Sequence, residues 1–550
     1  MKRRKILAIF FSVLMLVSLL AACGPKEGGG GDPTNTDTFD PNAPGGPGGG
    51  VTNSPGGNVT PDDTIVSSKD TVVFGQTSEP LNFVIGNVDY SNTPAREGIV
   101  IYNIYDSLLW MNWDGSIDYM LATGYTVSAD GMEYIFTLRD DVYFHNGYKL
   151  TAEDVAFTLN YGIKNSPGLA ANNLMGLASA EAIDDLNVKM IMSIPYAAFP
   201  NCLTSRMALI MSKQYFDEVG LDGYRAKPIG TGAYKFDNQV LGQSTTLKAN
   251  HDYWNGAPYI ETIIIKPLEN VTTQFLALEN GEIDIIGTAN INQCKQLTSP
   301  DLTWGYVPSS DRNSIFFHCG SGITQDKNIR KAIQCAIDKE EIMLGAIENY
   351  GFILDQDILQ TYNDCPPAKD LDVVERDIEK AKEYLKAANY NGEELIFVAS
   401  GATGESIATM VQGQLKAIGM NITIQTVDSA THTTLIREGT TVDIVFQSHA
   451  STLMDVSTLQ FHYKLSATST PRFPKEWIDK TTDLINRSDA EMDPVKRQAL
   501  IAEILNMNTE EAWLIPLYNG VMASAWNKGV KGMGPHLNGI VYQSRLWYWE

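Results

Sequence analysis

Pro228-Ile229-Gly230-Thr231-Gly232-Ala233-Tyr234-Lys235-Phe236, followed by Asn250-His251-Asp252-Tyr253-Trp254, is the stretch on which the reading of this chain turns. Its paired glycines suggest a phosphate loop, yet there is no third glycine and no Gly-Lys-Ser/Thr ending. The run is therefore a turn entering a strand, with Gly230 and Gly232 where the backbone needs positive φ or a close approach. Tyr253 and Trp254 read as packing aromatics rather than as a ligand platform. A comparable unit lies upstream: Asp130-Gly131 through Arg139, Phe144-His145-Asn146-Gly147 and Leu150-Thr151-Ala152-Glu153-Asp154-Val155. In it Tyr134, Phe136 and Leu138 alternate onto one face of a strand. Thr151 caps the helix that follows, Asp154 favours its positive end, and Val155 and Leu159 recur at helical spacing.

Outward from these units the chain keeps alternating. Thr71 to Phe74 is a short β-type run and Ile260 to Ile265 a buried-type strand. Asn328-Ile329-Arg330-Lys331-Ala332-Ile333 with Ala336-Ile337-Asp338 places Ile329, Ala332, Ile333, Ala336 and Ile337 on one helical stripe. Glu379 to Ala388 is an amphipathic helix with Ala381, Leu385 and Ala388 inside and Asn389 as its stop. Asp493-Pro494 starts another, since Asp caps and Pro suits the first helical position. There Ile501, Ile504 and Leu505 face inward, and the helix ends before Pro516. These elements predict an α/β chain of several sheets, without a 20–50-residue repeat.

The N-terminus has a different character. Lys2, Arg3, Arg4 and Lys5 precede an apolar run from Ile6 to Leu20 and the close Leu20-Ala21-Ala22-Cys23. A basic start, a short apolar run and small residues before a cut site form a secretory signal, too short for a bilayer span of about 20 residues. Cys23 at the first mature position resembles a lipoprotein lipobox, and the resemblance implies a signal peptide over residues 1–22 and lipidation at Cys23. Residues 23–68 are rich in Gly, Pro, Asn, Thr and Asp and cannot bury enough surface to offset chain entropy, so a disordered tether is expected. About 45 flexible residues reach roughly 35–40 Å.

Acidic residues outnumber basic ones 65 to 41, a formal charge of −24. Such a surface repels nucleic acid and anionic lipid. The length exceeds what one core serves, so two or more lobes are expected. Cys202, Cys294, Cys319, Cys335 and Cys365 contain no C-x-x-C pair, and their odd number argues against a complete disulfide framework. One or two bridges and scattered buried thiols both remain open. The seven histidines show neither H-x-H nor H-E-x-x-H spacing, so no zinc site is expected. There is no G-x-S-x-G elbow, P-loop, dinucleotide fingerprint or kinase set. A secreted hydrolase on a bilobed scaffold stands as the alternative of a different class, because carboxylate partners meet only in the fold.

The stretches quoted above, together with Leu278-Glu279-Asn280-Gly281-Glu282-Ile283-Asp284 and the Glu379 helix, resemble the family 5 extracellular solute-binding proteins of dipeptide, oligopeptide and nickel ABC importers. The resemblance runs from about Thr71 to the end. It implies a bilobed periplasmic-binding-protein-like fold of type II, with lobe one at 71–111, 225–309 and 517–550, an extra subdomain at 112–224 and lobe two at 310–516 within a body of 69–550. It further implies a monomeric receptor without cofactor or catalysis, held at the outer face of the cell membrane. Ligand would close the lobes by hinge motion, and the closed form would dock on the permease of a permease–ATPase complex.

In that family, peptide-binding members carry an Asp just after the Asp-Ile-Val-type strand of lobe two, where it pairs with the peptide α-amino group. From Asp443-Ile444-Val445 here, that place falls at Ser451, and the nearest acid is Asp455. Ser cannot give a charge-assisted bond to a cationic amine. The expected ligand is a peptide or similar small solute, with a nickel or other metal chelate and an oligosaccharide as alternatives. By position Tyr90, Arg96, His449, Ser451 and Tyr518 border the cleft, with Arg96 able to take a carboxylate bidentately.

Overall fold

The fold was obtained as a computed structural model that describes residues 61–62, 64–87, 94–112, 115–438, 442–450, 453, 455–459, 473–536 and 544–550. Cys23 and residues 1–22, read above as a signal peptide, lie outside the described residues.

Three main sheets organise the body, of seven, six and four strands. The seven-stranded sheet is built around Thr71–Gln76, which pairs in parallel with Thr262–Pro267 and with Ile285–Ala289. The six-stranded sheet has Glu394–Ala399 at the centre of a parallel trio with Asn421–Thr426 and Ile444–Ala450. The four-stranded sheet is antiparallel and carries Glu133–Leu138, whose Tyr134, Phe136 and Leu138 are buried as their alternation predicts. One large core fills the region of the first and third sheets, and a second fills the six-stranded sheet and its helices.

Local sequence signals account for many element ends. The helix Pro494–Glu511 starts where the Asp493 side chain accepts from the N–H groups of Val495 and Lys496, satisfying donors that a helix start leaves unpaired. At Ala152–Asn165 the Asp154 carboxylate accepts from Thr151 N–H at 2.9 Å and from Lys213 N–H at 2.7 Å. Asn389 stops its helix with φ 53°, a left-handed turn that Asn tolerates well. Gly230 and Gly232 are needed for close approach: a Cβ there would stand 2.1 Å from Ile104 O and 2.4 Å from Asn103 O respectively. All five described cysteines are unpaired, and only Cys365 is not fully buried.

Two expected boundaries shift. The tether was expected to run to Ser68, but Ser67 to Lys69 is laid on the body. The Trp549 N–H donates to Ser67 Oγ at 2.9 Å, Ser68 N–H donates to Trp549 O at 2.9 Å, and Lys69 sits 3.7 Å over the Trp549 ring. Composition registers too little apolar surface here, whereas backbone bonds and one tryptophan do the holding. The lobe boundary expected at Leu517 falls inside the strand Leu514–Asn519 of the six-stranded sheet, and the chain leaves that sheet at Gly520.

Candidate functional site: the hinge and the strand ends it joins

A two-stranded ribbon links the two large sheets. Leu302–Pro308 pairs antiparallel with Val521–Asn527 in the seven-stranded sheet, and Asp311–Phe317 pairs antiparallel with Leu514–Asn519 in the six-stranded one. The chain therefore changes sheets at Ser309–Ser310 and again at Gly520. The crossings are stitched together: Ser309 N–H donates to Gly520 O at 3.0 Å, and Asn519 Nδ2 donates to Ser309 O at 2.9 Å and Asp311 O at 2.6 Å. Two short crossings lying side by side, with glycine in one, are the type of connection that can serve as a hinge.

Strand direction fixes which ends meet there. Leu302–Pro308 and Ile285–Ala289 both run antiparallel to Val521–Asn527, so Pro308 leaves the first sheet at the carboxyl end of its parallel strands. Asp311–Phe317 runs antiparallel to Ile444–Ala450, with Asp311 opposite Ala450, so it enters the second sheet at the carboxyl end of that parallel trio. Both sheets thus present carboxyl ends to the hinge. Open α/β sheets bind ligands in the crevice outside those ends.

At this end the register sorts side chains onto two faces. Asn313 is opposite both Ser448 and Tyr518, and Asp311 shares their face. Asp311 Oδ2 accepts from Asn313 Nδ2 at 2.8 Å and, at 3.4 Å, from Ser448 Oγ. Ser448 and Ala450 are exposed and Asp311 partly so. Burial pushes the Asp311 carboxyl above the usual range, against the pull of its hydrogen bonds. Burial, with Asp311 second, likewise raises the Tyr518 phenol. On the other face His449 lies opposite Arg312, its ring 5.2 Å from that of Phe316. Arg312 donates to Asp357 O at 2.7 Å in a buried pair with the Asp357 carboxylate.

His449 and Tyr518 therefore occupy the strands flanking Asp311–Phe317 but point to opposite faces, and Tyr518 is 2 % exposed. Arg96 falls on the helix Pro94–Ile104, with its side chain outside the described residues, as are Tyr90 and Ser451 altogether. Asp455, the acid nearest Ser451, is 1 % exposed and engaged by Arg497, whose Nη2 lies 2.8 Å from its Oδ1. Sequence reasoning missed Asp311, Asn313, Ser448 and Asn519. The only local sign was the polar run Ser309-Ser310-Asp311-Arg312-Asn313 between two apolar strands. Among the described residues no group of three or more His, Cys, Asp or Glu is placed to hold a metal, and no helix is long and apolar enough to cross a membrane.

Residues 116–470 match the bacterial extracellular solute-binding proteins, family 5, over their middle region. The chain belongs to that family. The oligopeptide-binding protein AppA of Bacillus subtilis (strain 168) is 27 % identical over 464 residues, covering 78 % of this chain and 77 % of AppA. The nickel-binding periplasmic protein of Escherichia coli (strain K12) is 24 % identical over 446 residues, covering 75 % of this chain and 83 % of that one. The crystal structure of the ABC transporter substrate-binding protein CtaP from Listeria monocytogenes shares the fold with a TM-score of 0.75 at 21 % identity, covering 88 % of this chain and 99 % of CtaP. The family's bilobed α/β architecture is the one described above, and its members bind solutes rather than transform them.

Proposed function

We propose that this protein is the extracytoplasmic receptor of an ABC importer, anchored by lipid at Cys23, which captures a peptide or similar small solute by lobe closure and delivers it to the permease. The observation that carries the reading is the hinge: two stitched crossings join two sheets whose carboxyl ends both open toward it. Ligand contacts to both sheets stabilise the closed arrangement, because a ligand shifts a two-state equilibrium by its differential affinity for the two states. Peptide leads because an oligopeptide-binding relative aligns over most of both chains. The receptor acts as a monomer, without cofactor, and His449, Tyr518 and the segments carrying Tyr90, Arg96 and Ser451 border its cleft.

Calorimetric titration of the purified body against peptide pools, Ni²⁺ chelates and oligosaccharides tests this directly. Saturable binding to peptides is expected, with stabilisation of about 2.7 kcal/mol at a hundredfold excess over Kd. No binding to any class, and no ligand-dependent change in melting temperature, would remove the receptor reading. Binding to Ni²⁺ chelates alone would reassign the cargo. The anchor is tested separately. Mass spectrometry of the mature N-terminus should find a diacylglyceryl-modified Cys23, and Cys23→Ala should release the protein from membranes, since loss of acyl chains removes the apolar area that holds it.

A further inference from the structure

Asp311 is a largely buried carboxylate for which no described residue supplies a cation. Its strand enters the six-stranded sheet one residue past the Ser309–Ser310 crossing, and Gly520, in the other crossing, lies against it. A Cβ on Gly520 would stand 3.2 Å from each of its carboxylate oxygens. Oδ1 is shielded from water and accepts no well-formed hydrogen bond, and the nearby Gly520 N–H only tempers the effect of burial. Among the described residues Asp311 makes no ion pair. Buried charges are ordinarily paired, because an isolated one forfeits its hydration. A cleft carboxylate left uncompensated therefore marks a place where the missing charge arrives with something else.

Two other described acids that follow strands of this sheet are already used. Asp455 is paired with Arg497. Asp428, two residues past Thr426, accepts from Ala430 N–H, Thr431 N–H and Thr431 Oγ1. We propose that Asp311 is the cation anchor of the ligand site and that the solutes selected here carry a free ammonium group, an assignment that rests on the solute-receptor reading above. The approach is from the exposed Ser448–Ala450 edge, where the 3.4 Å contact of Ser448 Oγ with Oδ2 is the weaker of two and yields to a stronger donor. A compact ammonium, with three rotatable donors, suits this position better than a guanidinium fork, since Asn313 Nδ2 already occupies Oδ2 at 2.8 Å. The anchor stands beside both hinge crossings, so the ligand's charge is read where the lobes turn.

The test uses a defined mixture of tripeptides to pentapeptides with free N-termini and the same mixture N-acetylated, titrated into the wild-type body and Asp311→Asn. Wild type should bind the free-amine mixture roughly tenfold to a hundredfold more tightly than the acetylated one. Asp311→Asn should bind both at the acetylated level, while its ligand-free melting temperature stays the same or rises, because an uncompensated buried charge is gone. An Asp311→Asn protein that keeps the preference overturns the anchor and leaves the receptor standing. So does a wild type that binds both mixtures equally. A ligand-free Asp311→Asn that melts well below wild type makes the role structural and overturns the anchor too. A wild type that binds neither mixture, nor any other solute class, overturns anchor and receptor together.

Discussion

Arg497→Ala should lower the unfolding free energy by about 3–5 kcal/mol, read as an earlier midpoint in urea. Arg497 is 1 % exposed on the helix Pro494–Glu511 and gathers three separate segments. Its guanidinium pairs with Asp455 through Nη2 at 2.8 Å and Nη1 at 3.3 Å, bonds Asp364 through Nη1, and donates from Nε to Ser488 O at 3.1 Å. Burial works against its charge, but the Asp455 and Asp364 carboxylates outweigh that and hold it more firmly protonated than a free arginine. Alanine removes the cation and leaves Asp455 buried without it. The cost of that uncompensated charge, not the value of the pair, sets the size of the effect. Arg497→Leu with Asp455→Leu should accordingly lose less than Arg497→Ala alone. Equal losses would show that packing around the side chain, not its charge, is what matters.

The effect should extend beyond the six-stranded sheet. Leu453, two residues before Asp455, belongs to the core shared with the four-stranded sheet, and its carbonyl accepts from Asn201 Nδ2 at 2.9 Å. Next to Ser488, the Asp489 carbonyl accepts from Ala197 N–H at 2.7 Å. Loosening Arg497 therefore loosens the seat of the four-stranded sheet, and Arg497→Ala should also make the segment around Ala197 to Asn201, which follows that sheet, exchange its amide hydrogens sooner than the sheet itself.

What could be read in advance was whatever one element encodes by itself. The alternation of Tyr134, Phe136 and Leu138, the stripe from Ile329 to Ile337 and the Asp493-Pro494 start each report a local period or a local unpaired donor, and the structure keeps all three. The site depends instead on which strand lies beside which. Asp311 has no period or motif to mark it, and its importance comes from standing opposite Ala450 and against Gly520, 139 and 209 residues along the chain. Asp455 misleads for the same reason: as the acid nearest Ser451 in sequence it invites a ligand role, while Arg497, 42 residues on, takes it up in the fold. The Gly230 and Trp254 motifs lie between these cases. Their residue types announce a tight approach and packed aromatics, but not the carboxylate around which both are assembled.

That carboxylate is Asp106, and Asp106→Ala should cost about 3–5 kcal/mol, since each buried donor left unpaired costs about 1–3 kcal/mol and neighbouring losses do not simply add. Asp106 is 3 % exposed. Its Oδ2 accepts from Thr231 Oγ1 at 2.9 Å and Trp254 Nε1 at 3.0 Å, and its Oδ1 from Tyr253 Oη at 3.0 Å. Burial pushes its carboxyl upward, opposed by those three bonds and by Arg545. The donors come from the Gly230-Thr231-Gly232 turn and the Tyr253-Trp254 pair, so one side chain fastens both motifs to the end of the helix Pro94–Ile104. Asp106→Asn separates hydrogen bonding from charge. Trp254 can only donate, so the amide oxygen must take the Oδ2 side and the amide nitrogen must face Tyr253, whose hydroxyl can turn to accept. All three groups then keep a partner, and the asparagine variant should lose well under half of what the alanine variant loses in urea denaturation. Equal losses from the two variants would mean that Asp106 acts through its charge toward Arg545 instead, and Arg545→Ala should then reproduce the full effect.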